Sequence, residues 1–443
     1  MKKNKQVFLI DNPTLFKVQI LHWSNQFEVC TFLDNHAYDS PYGALDCIAA
    51  VSPVSFIALD SVNAQAVDAF IRKHSGEWIF AHFNYEYQSI TKPNTKANLT
   101  DFPLAYLYTP AIVIELTGNQ VTIQSDSENS QILFDEISGF IVPSLSEQGT
   151  EQRSYQSGAP TTSIIPFISK AAYLEAIHKI LALIRRGDFY EINYCQVFEV
   201  PQLSAHPVAV YVNLTEVSPT PFACFYKNHS DYLLCASPER YLQKKGNQLI
   251  SQPIKGTIKR NLHNDADDKL QVEALQKSSK DKSENVMVVD LVRNDLSRIC
   301  EKGSVKVSEL FGIYPFPQVH QMISTITGTL SSNIVFSEIL EATFPMGSMT
   351  GAPKKSVMET IDALEPTRRG LYSGTVGYFN PAGDFDFNVV IRSIFYNSET
   401  KKASYGVGGG ITIYSDPEKE YEECLLKAAA IKKVLTGTDH TTE

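Results

Sequence analysis

Lys255 sits in SQPIKGTIKR (251–260), between apolar Pro253-Ile254 and Gly256-Thr257. A lysine there is either a solvated turn residue or a nucleophile. Partial desolvation favours the free amine, which can attack an electrophilic carbon. Glu239, in ASPER, lies 16 residues upstream. The intervening RYLQKKGNQLISQPIK reads as a hairpin, which would bring an acid beside the amine. Arg392 lies in NVVIRSIFY, apolar on both faces. A guanidinium there needs a partner. That partner is either a structural carboxylate or a substrate carboxylate held by the planar fork.

Two helical segments carry acids at matched spacing. Glu420, Glu423 and Lys427 stand at i, i+3 and i+7, and Asp281 and Glu284 at i and i+3. A solvated salt-bridge face is the plain reading of the first set. Two helices each offering an acid pair could also build an oxygen-only site for a hard cation such as Mg²⁺. Two glycine-rich stretches imitate phosphate loops. GSMTGAPKKS (347–356) has the wrong glycine spacing, with Ala-Pro before Lys354. GVGGGI (406–411) lacks the last glycine of a dinucleotide fingerprint and is followed by strand-like sequence. Both read as turns, or as close backbone approach at 408–410.

These residues must be positioned by mixed elements. Residues 7–140 are strand-rich, with a helical pattern at 64–74 and a hairpin at 111–125 around Gly118-Asn119. The polar stretch 143–163 reads as a linker or long loop. Residues 169–188 form an amphipathic helix, capped by Ser169 and ended near Gly187. Strand-like EINYCQVFEV, FACFYK and YLLCAS follow, then a helix from Asp281 to Arg298 and another starting near Ala352-Pro353, with Pro353 at an early helical position. Strands at about 386–396 and 403–413 lead to a last helix with Asp416 as N-cap and Pro417 as its first residue. The class is α/β (α+β), and periodicity leaves the topology open.

The 443 residues can bury a large core in two or three domains, or one large unit with a smaller partner. A net charge of −10 argues against a nucleic-acid or anionic-membrane partner. No run of about 18 apolar residues occurs, so no membrane span is expected. Seven scattered cysteines, none in C-x-x-C, fit buried thiols in a reducing cytoplasm.

The motifs in order are GDFYEINYCQ, SPER, PIKGT, SENVMVVDLVRNDLSR, FPMGSMTGAPK, RRGLYSGTVGY, VVIRS and GVGGGITIYSDPEKEYEECLLKA. Over residues 165–436 the chain resembles the chorismate-utilising enzymes, while 1–150 resembles the N-terminal region of anthranilate synthase component I. The resemblance implies stacked β-sheets with helices outside, and chorismate bound with Mg²⁺. It implies Glu284 and Glu423 as Mg²⁺ ligands, with Asp281 and Glu420 supporting through water. Tyr372, Arg392, Gly408, Gly409, Gly410 and Lys427 would hold carboxylates. Gly256, Thr257 and Ser348 would lie near the ring, and Glu239 would be the general acid.

Lys255 sorts within the family. Anthranilate-forming members usually have alanine there, and isochorismate- and salicylate-forming members have a lysine base where this chain has Glu191. The chain therefore resembles the branch that forms 4-amino-4-deoxychorismate, with Lys255 as a covalent nucleophile. That implies a role in 4-aminobenzoate and folate synthesis. It also implies ammonia from a separate glutamine amidotransferase subunit, since no glutaminase domain is visible. The rivals are an anthranilate-forming enzyme and a non-catalytic, chorismate-binding regulatory subunit. Some relatives carry an amino-acid pocket in the N-terminal region; its ligand here is left open. Two positions depart from the family, which usually has Gln at 191 and His at 321; this chain has Glu191 and Gln321, with His320 one step earlier.

Overall fold

The computed structural model describes residues 4–38, 43, 45–88, 96–98, 100–126, 129–142, 163–262 and 264–437. The expected linker at 143–163 falls almost wholly outside them. Among the described residues, twenty strands pair into one connected, antiparallel network. Two long strands, Cys47–Leu59 and Ala105–Thr117, pair along their length with a register shift between Pro53 and Ser55. On one side of that shift the network continues through Val29–Asp34, Phe222–Asn228, Asp231–Ser237, Ser393–Asn397, Ala403–Thr412 and Glu191–Val200. On the other it runs through Ile79–Phe83, Thr375–Phe379, Phe385–Asn388, Arg240–Lys245, Gln248–Gln252 and Val319–Thr329. Strands from 1–150 thus pair directly with strands from 165–436.

The two branches form layers, as side-chain alternation shows. In Phe222–Asn228, Ala223 and Phe225 join a core with Ile177 and Ile180 of helix Lys170–Arg186. Cys224 and Tyr226 point the other way, into a core with Phe83, Leu242, Leu249 and Phe387 of the second layer. Successive side chains face opposite sides of a strand. A central strand buried on both faces therefore reads as continuously apolar. Helices Lys170–Arg186, Pro207–Val217 and Pro417–Thr436 cover the outer face of the first layer. No described helix is long and apolar enough to cross a membrane.

Local chemistry sets the ends of these elements. Ser169 accepts a hydrogen bond from Ala172 N, and left-handed Gly187 closes the same helix. Asp416 caps the last helix from Lys419 N, with Pro417 in its first turn. The hairpin expected at 111–125 is present, with its turn at Gly118-Asn119. Two expectations need correction. Pro353 is the N-cap of helix Lys354–Leu364 and lies in extended backbone, not inside the first turn. The strand expected over 386–396 is two strands, Phe385–Asn388 and Ser393–Asn397. Between them the backbone turns aside: Val389 N donates to Glu239 O, Val390 N to Gly374 O, and Arg392 has φ +52°. Apolar periodicity could not reveal a break whose hydrogen bonds go to distant loops.

A buried ion pair fastens the end of the molecule where Lys255 lies. Arg369 and Glu365 are 5% and 4% exposed. Arg369 donates to both Glu365 carboxylate oxygens, at 2.9 and 2.6 Å, and to the carbonyls of Asn193 (2.8 Å) and Met349 (2.6 Å). Glu365 also accepts from Cys195 N at 2.9 Å, and the guanidinium lies 4.5 Å from the centre of the Tyr85 ring. One side chain so joins strand Glu191–Val200, the turn before Gly351 and the 85–88 turn. Removing one partner strands the other charge in the interior, at a cost of about 3–5 kcal/mol. Arg369→Ala should lower unfolding free energy by that amount in urea titration; a loss under about 1 kcal/mol would contradict this role.

Candidate active site

The hairpin between Glu239 and Lys255 forms: Arg240 pairs with Gln252 and Lys245 with Gln248. The next strand, Ile254–Lys259, pairs with Val319–Thr329 but shifts register between Ile254 and Thr257. Lys255 and Gly256 occupy that bulge. Gly256 has φ +98°, and a Cβ on it would meet Asp281 Cβ at 3.0 Å. Only glycine suits that backbone and that approach to helix Ser279–Ser297. A bulge re-aims a side chain; here Lys255 Nζ lies 2.7 Å from Glu191 Oε1, in the other layer. Their side chains are 12% and 4% exposed, so this pair is shielded from bulk water. Gly410 lies beneath it. A methyl there would fall 2.7 Å from both Lys255 Nζ and Glu191 Oε1.

Glu239 is 5% exposed. Burial pushes its carboxyl up to about 7, against the opposing pull of Ser348, Lys255 and Arg392. It is therefore largely protonated in mildly acid solution, as a proton donor must be. For Lys255, burial favours the neutral amine, but Glu191, Glu284 and Glu239 outweigh it and raise the pKa. The resting side chain is an ammonium. Burial lowers Arg392, with Glu239 and Tyr38 pulling the other way. Among the described residues no carboxylate forms an ion pair with Arg392.

Glu284 belongs to the same cluster. Burial pushes it up to about 7; Lys255 and Lys280 oppose this, while Glu191 and Asp281 add to it. Glu420 is buried and raised by that burial, with Glu423 adding to the effect. Burial would raise Glu423 too, but Lys427 at 2.8 Å holds it below the usual range. Lys427 also donates to Gly408 O at 3.0 Å, and a Cβ on Gly409 would sit 3.2 Å from Glu420 Oε2. Among the described residues no three His, Cys, Asp or Glu side chains lie close enough together to hold a metal ion. The donor chemistry nevertheless suits Mg²⁺: the candidates are carboxylates alone, with Asp281 raising Glu284 and Glu423 raising Glu420.

The remaining expected residues lie around this core. Ser348 is buried, and its carbonyl accepts from Asn193 Nδ2 at 3.1 Å. Thr257 is exposed and paired with Gln321. Tyr372 is buried behind the glycine strand. Its hydroxyl lies 3.7 Å from Cys195 Sγ, and its ring fills the space a Gly406 Cβ would need. His320 faces Asp268 at 3.0 Å, while fully buried Gln321 has no partner for either amide atom among the described residues. The false phosphate loop is no such loop, because Lys354 is held by Asp295 at 2.6 Å. The Glu191–Lys255 contact and the Arg369 anchor were not foreseen. A lone glutamate opening the apolar run EINYCQVFEV was the one available hint.

A family model described as chorismate binding enzyme matches residues 32–433. Aminodeoxychorismate synthase component 1 of Bacillus subtilis is 34% identical over 319 residues, 72% of this chain and 66% of the relative. The chloroplastic aminodeoxychorismate synthase of Arabidopsis thaliana is 40% identical over 277 residues, 62% of this chain. The match spans only 30% of that longer protein. Anthranilate synthase component I from Streptococcus pneumoniae superposes with a TM-score of 0.71 at 23% identity, covering 89% of this chain and 93% of that one. The expected fold of stacked sheets flanked by helices is the shared one.

The raised Glu239 carboxyl links stability to pH. Folding favours its protonated form, so this contribution is complete below about pH 4.5 and is lost as pH rises through about 7. A neutral amide carries no such dependence. Relative to Glu239→Gln, the wild type should lose about 3 kcal/mol of stability between pH 4.5 and 8. Paired denaturant titrations at both pH values measure it; a difference independent of pH would rule it out.

Proposed function

The chain belongs to the family of chorismate binding enzymes, and on that premise we propose that it aminates chorismate at C4 to give 4-amino-4-deoxychorismate. The observation that carries the reading is Lys255: a buried amine beside a protonatable Glu239, with Arg392 free for a carboxylate. Relatives named aminodeoxychorismate synthase support it.

In this reading the Lys255 amine attacks C2 of chorismate, and Glu239 protonates the departing 4-hydroxyl. Ammonia then attacks C4 and expels the lysine. The covalent route divides one difficult displacement into two. Arg392, Tyr372, Lys427 and the backbone of Gly408, Gly409 and Gly410 hold carboxylates, while Gly256, Thr257 and Ser348 flank the ring carboxylate. Glu284 and Glu423 would hold Mg²⁺, with Asp281 and Glu420 behind them; bound there, it would supply positive charge for orienting a substrate carboxylate. All these residues lie in 165–436, the proposed catalytic domain; 1–150 is the proposed N-terminal domain. A glutamine amidotransferase subunit supplies ammonia, and the product feeds 4-aminobenzoate and folate synthesis in a reducing cytoplasm. All seven cysteines are free and buried, which suits that compartment.

Purified protein incubated with chorismate, Mg²⁺ and ammonium salt should form a product that becomes 4-aminobenzoate only after a lyase is added. Fluorescent anthranilate with pyruvate would overturn the assignment, and no turnover at ample ammonia would favour a regulatory subunit. Lys255→Ala should reduce amination by at least about 10²-fold; full amination in that variant would exclude Lys255 as nucleophile.

A further inference from the structure

We propose that Glu191 is the proton shuttle of Lys255, accepting the ammonium proton before attack and returning it when the lysine leaves. The inference rests on the C4-amination reading and adds a residue that reading does not use. Three observations carry it. Lys255 Nζ and Glu191 Oε1 are 2.7 Å apart, within direct proton-transfer distance. The two side chains are 12% and 4% exposed, so solvent is a poor alternative acceptor. Gly410 leaves the space in which the pair meets, since a Cβ would lie 2.7 Å from both atoms. The resembling family usually has an amide at this position, which cannot take a proton; this chain has a carboxylate.

The other groups around Lys255 are accounted for differently. Glu239 is raised by burial and donates to the leaving hydroxyl. Glu284, also raised, lies on the side of the proposed cation site. Arg392 and Lys280 are cations and accept nothing. Glu191 alone forms an ion pair with Lys255 among the described residues.

Protons and bonds balance through the cycle. Lys255-NH₃⁺ and Glu191-COO⁻ become Lys255-NH₂ and Glu191-COOH. The amine forms the C2–N bond as the C4–O bond breaks, and the hydroxyl leaves as water with the Glu239 proton. The adduct nitrogen is then a cationic secondary ammonium beside neutral Glu191. Ammonia forms the C4–N bond as the C2–N bond breaks, releasing Lys255-NH₂. Glu239 carboxylate takes a proton from the new C4 ammonium. Glu191-COOH returns its proton to Lys255, and the starting state is restored.

The test compares wild type, Glu191→Gln and Glu191→Asp with chorismate, Mg²⁺ and ammonium salt from pH 6.5 to 9.5, after circular dichroism shows each folded. With no carboxylate beside it, the ammonium must give its proton directly to solvent or hydroxide, which its 12% exposure hinders. At pH 7 the kcat of Glu191→Gln should fall on the order of 10²-fold. The ratio of its kcat to the wild-type value should climb about tenfold per pH unit, with KM for chorismate within about threefold. Glu191→Asp should keep a flat ratio at a reduced level. It carries the test alone if the glutamine variant does not fold, and a climbing ratio in Glu191→Asp then counts against the shuttle. A Glu191→Gln kcat within about threefold of wild type, with a parallel pH profile, overturns the proposal. So does a folded Glu191→Gln that stays inactive at every pH, which marks a structural role. Failure of the wild type to aminate chorismate overturns the parent reading and this one with it, whereas wild-type amination with an indifferent Glu191→Gln removes only this inference.

Discussion

The buried Arg369–Glu365 pair is the constraint on which the end of the molecule holding the candidate site depends. Arg369 binds Glu365, Asn193 O and Met349 O, and Glu365 binds Cys195 N. It therefore fixes strand Glu191–Val200 against the 346–352 turn and the 365–372 segment. That strand carries Glu191 at one end, and the turn carries Ser348. The glycine strand Ala403–Thr412 pairs with it in unbroken register from Ala403–Val200 to Thr412–Glu191. A charge pair buried this deeply is weak as a source of net stability. Its geometric demands are strict, however, and they are met by backbone groups of segments far apart in sequence.

On that platform, chemistry comes from opposing layers. Lys255 rises from a bulge in one layer and Glu191 from the other, and Gly410 clears the space between them. Acids then accumulate around a single ammonium: Glu191, Glu239 and Glu284 all act on Lys255. Their environments separate their tasks. Glu239 and Glu284 are driven toward the neutral form by burial, while Glu191 is tied to the lysine. Burial thus keeps Glu239 in the protonated form a donor needs, while Glu191 faces the ammonium.

The last helix shows two readings of one pattern coexisting. Lys427 pairs with Glu423, as on a solvated face, yet it also holds the Gly408 carbonyl, and Glu420 is buried against Gly409. Spacing alone places such residues on a common face. Whether that face meets water or a partly enclosed cleft depends on what the helix packs against.

Whatever depends on near neighbours was legible in the amino-acid order. The caps Ser169 and Asp416, the turn at Gly118-Asn119, the hairpin from Glu239 to Lys255 and the shared faces of the acid pairs are short-range consequences of backbone and side-chain type. Ordered motifs carried the family fold. Tertiary structure decided what depends on contacts between distant segments. The split of 386–396 at Arg392 is made by hydrogen bonds to Glu239 and Gly374, which no local pattern encodes. Glu191 meets Lys255 across 64 positions and two layers. The layering, too, was hidden, because a strand buried on both faces loses the alternation that would mark its sides.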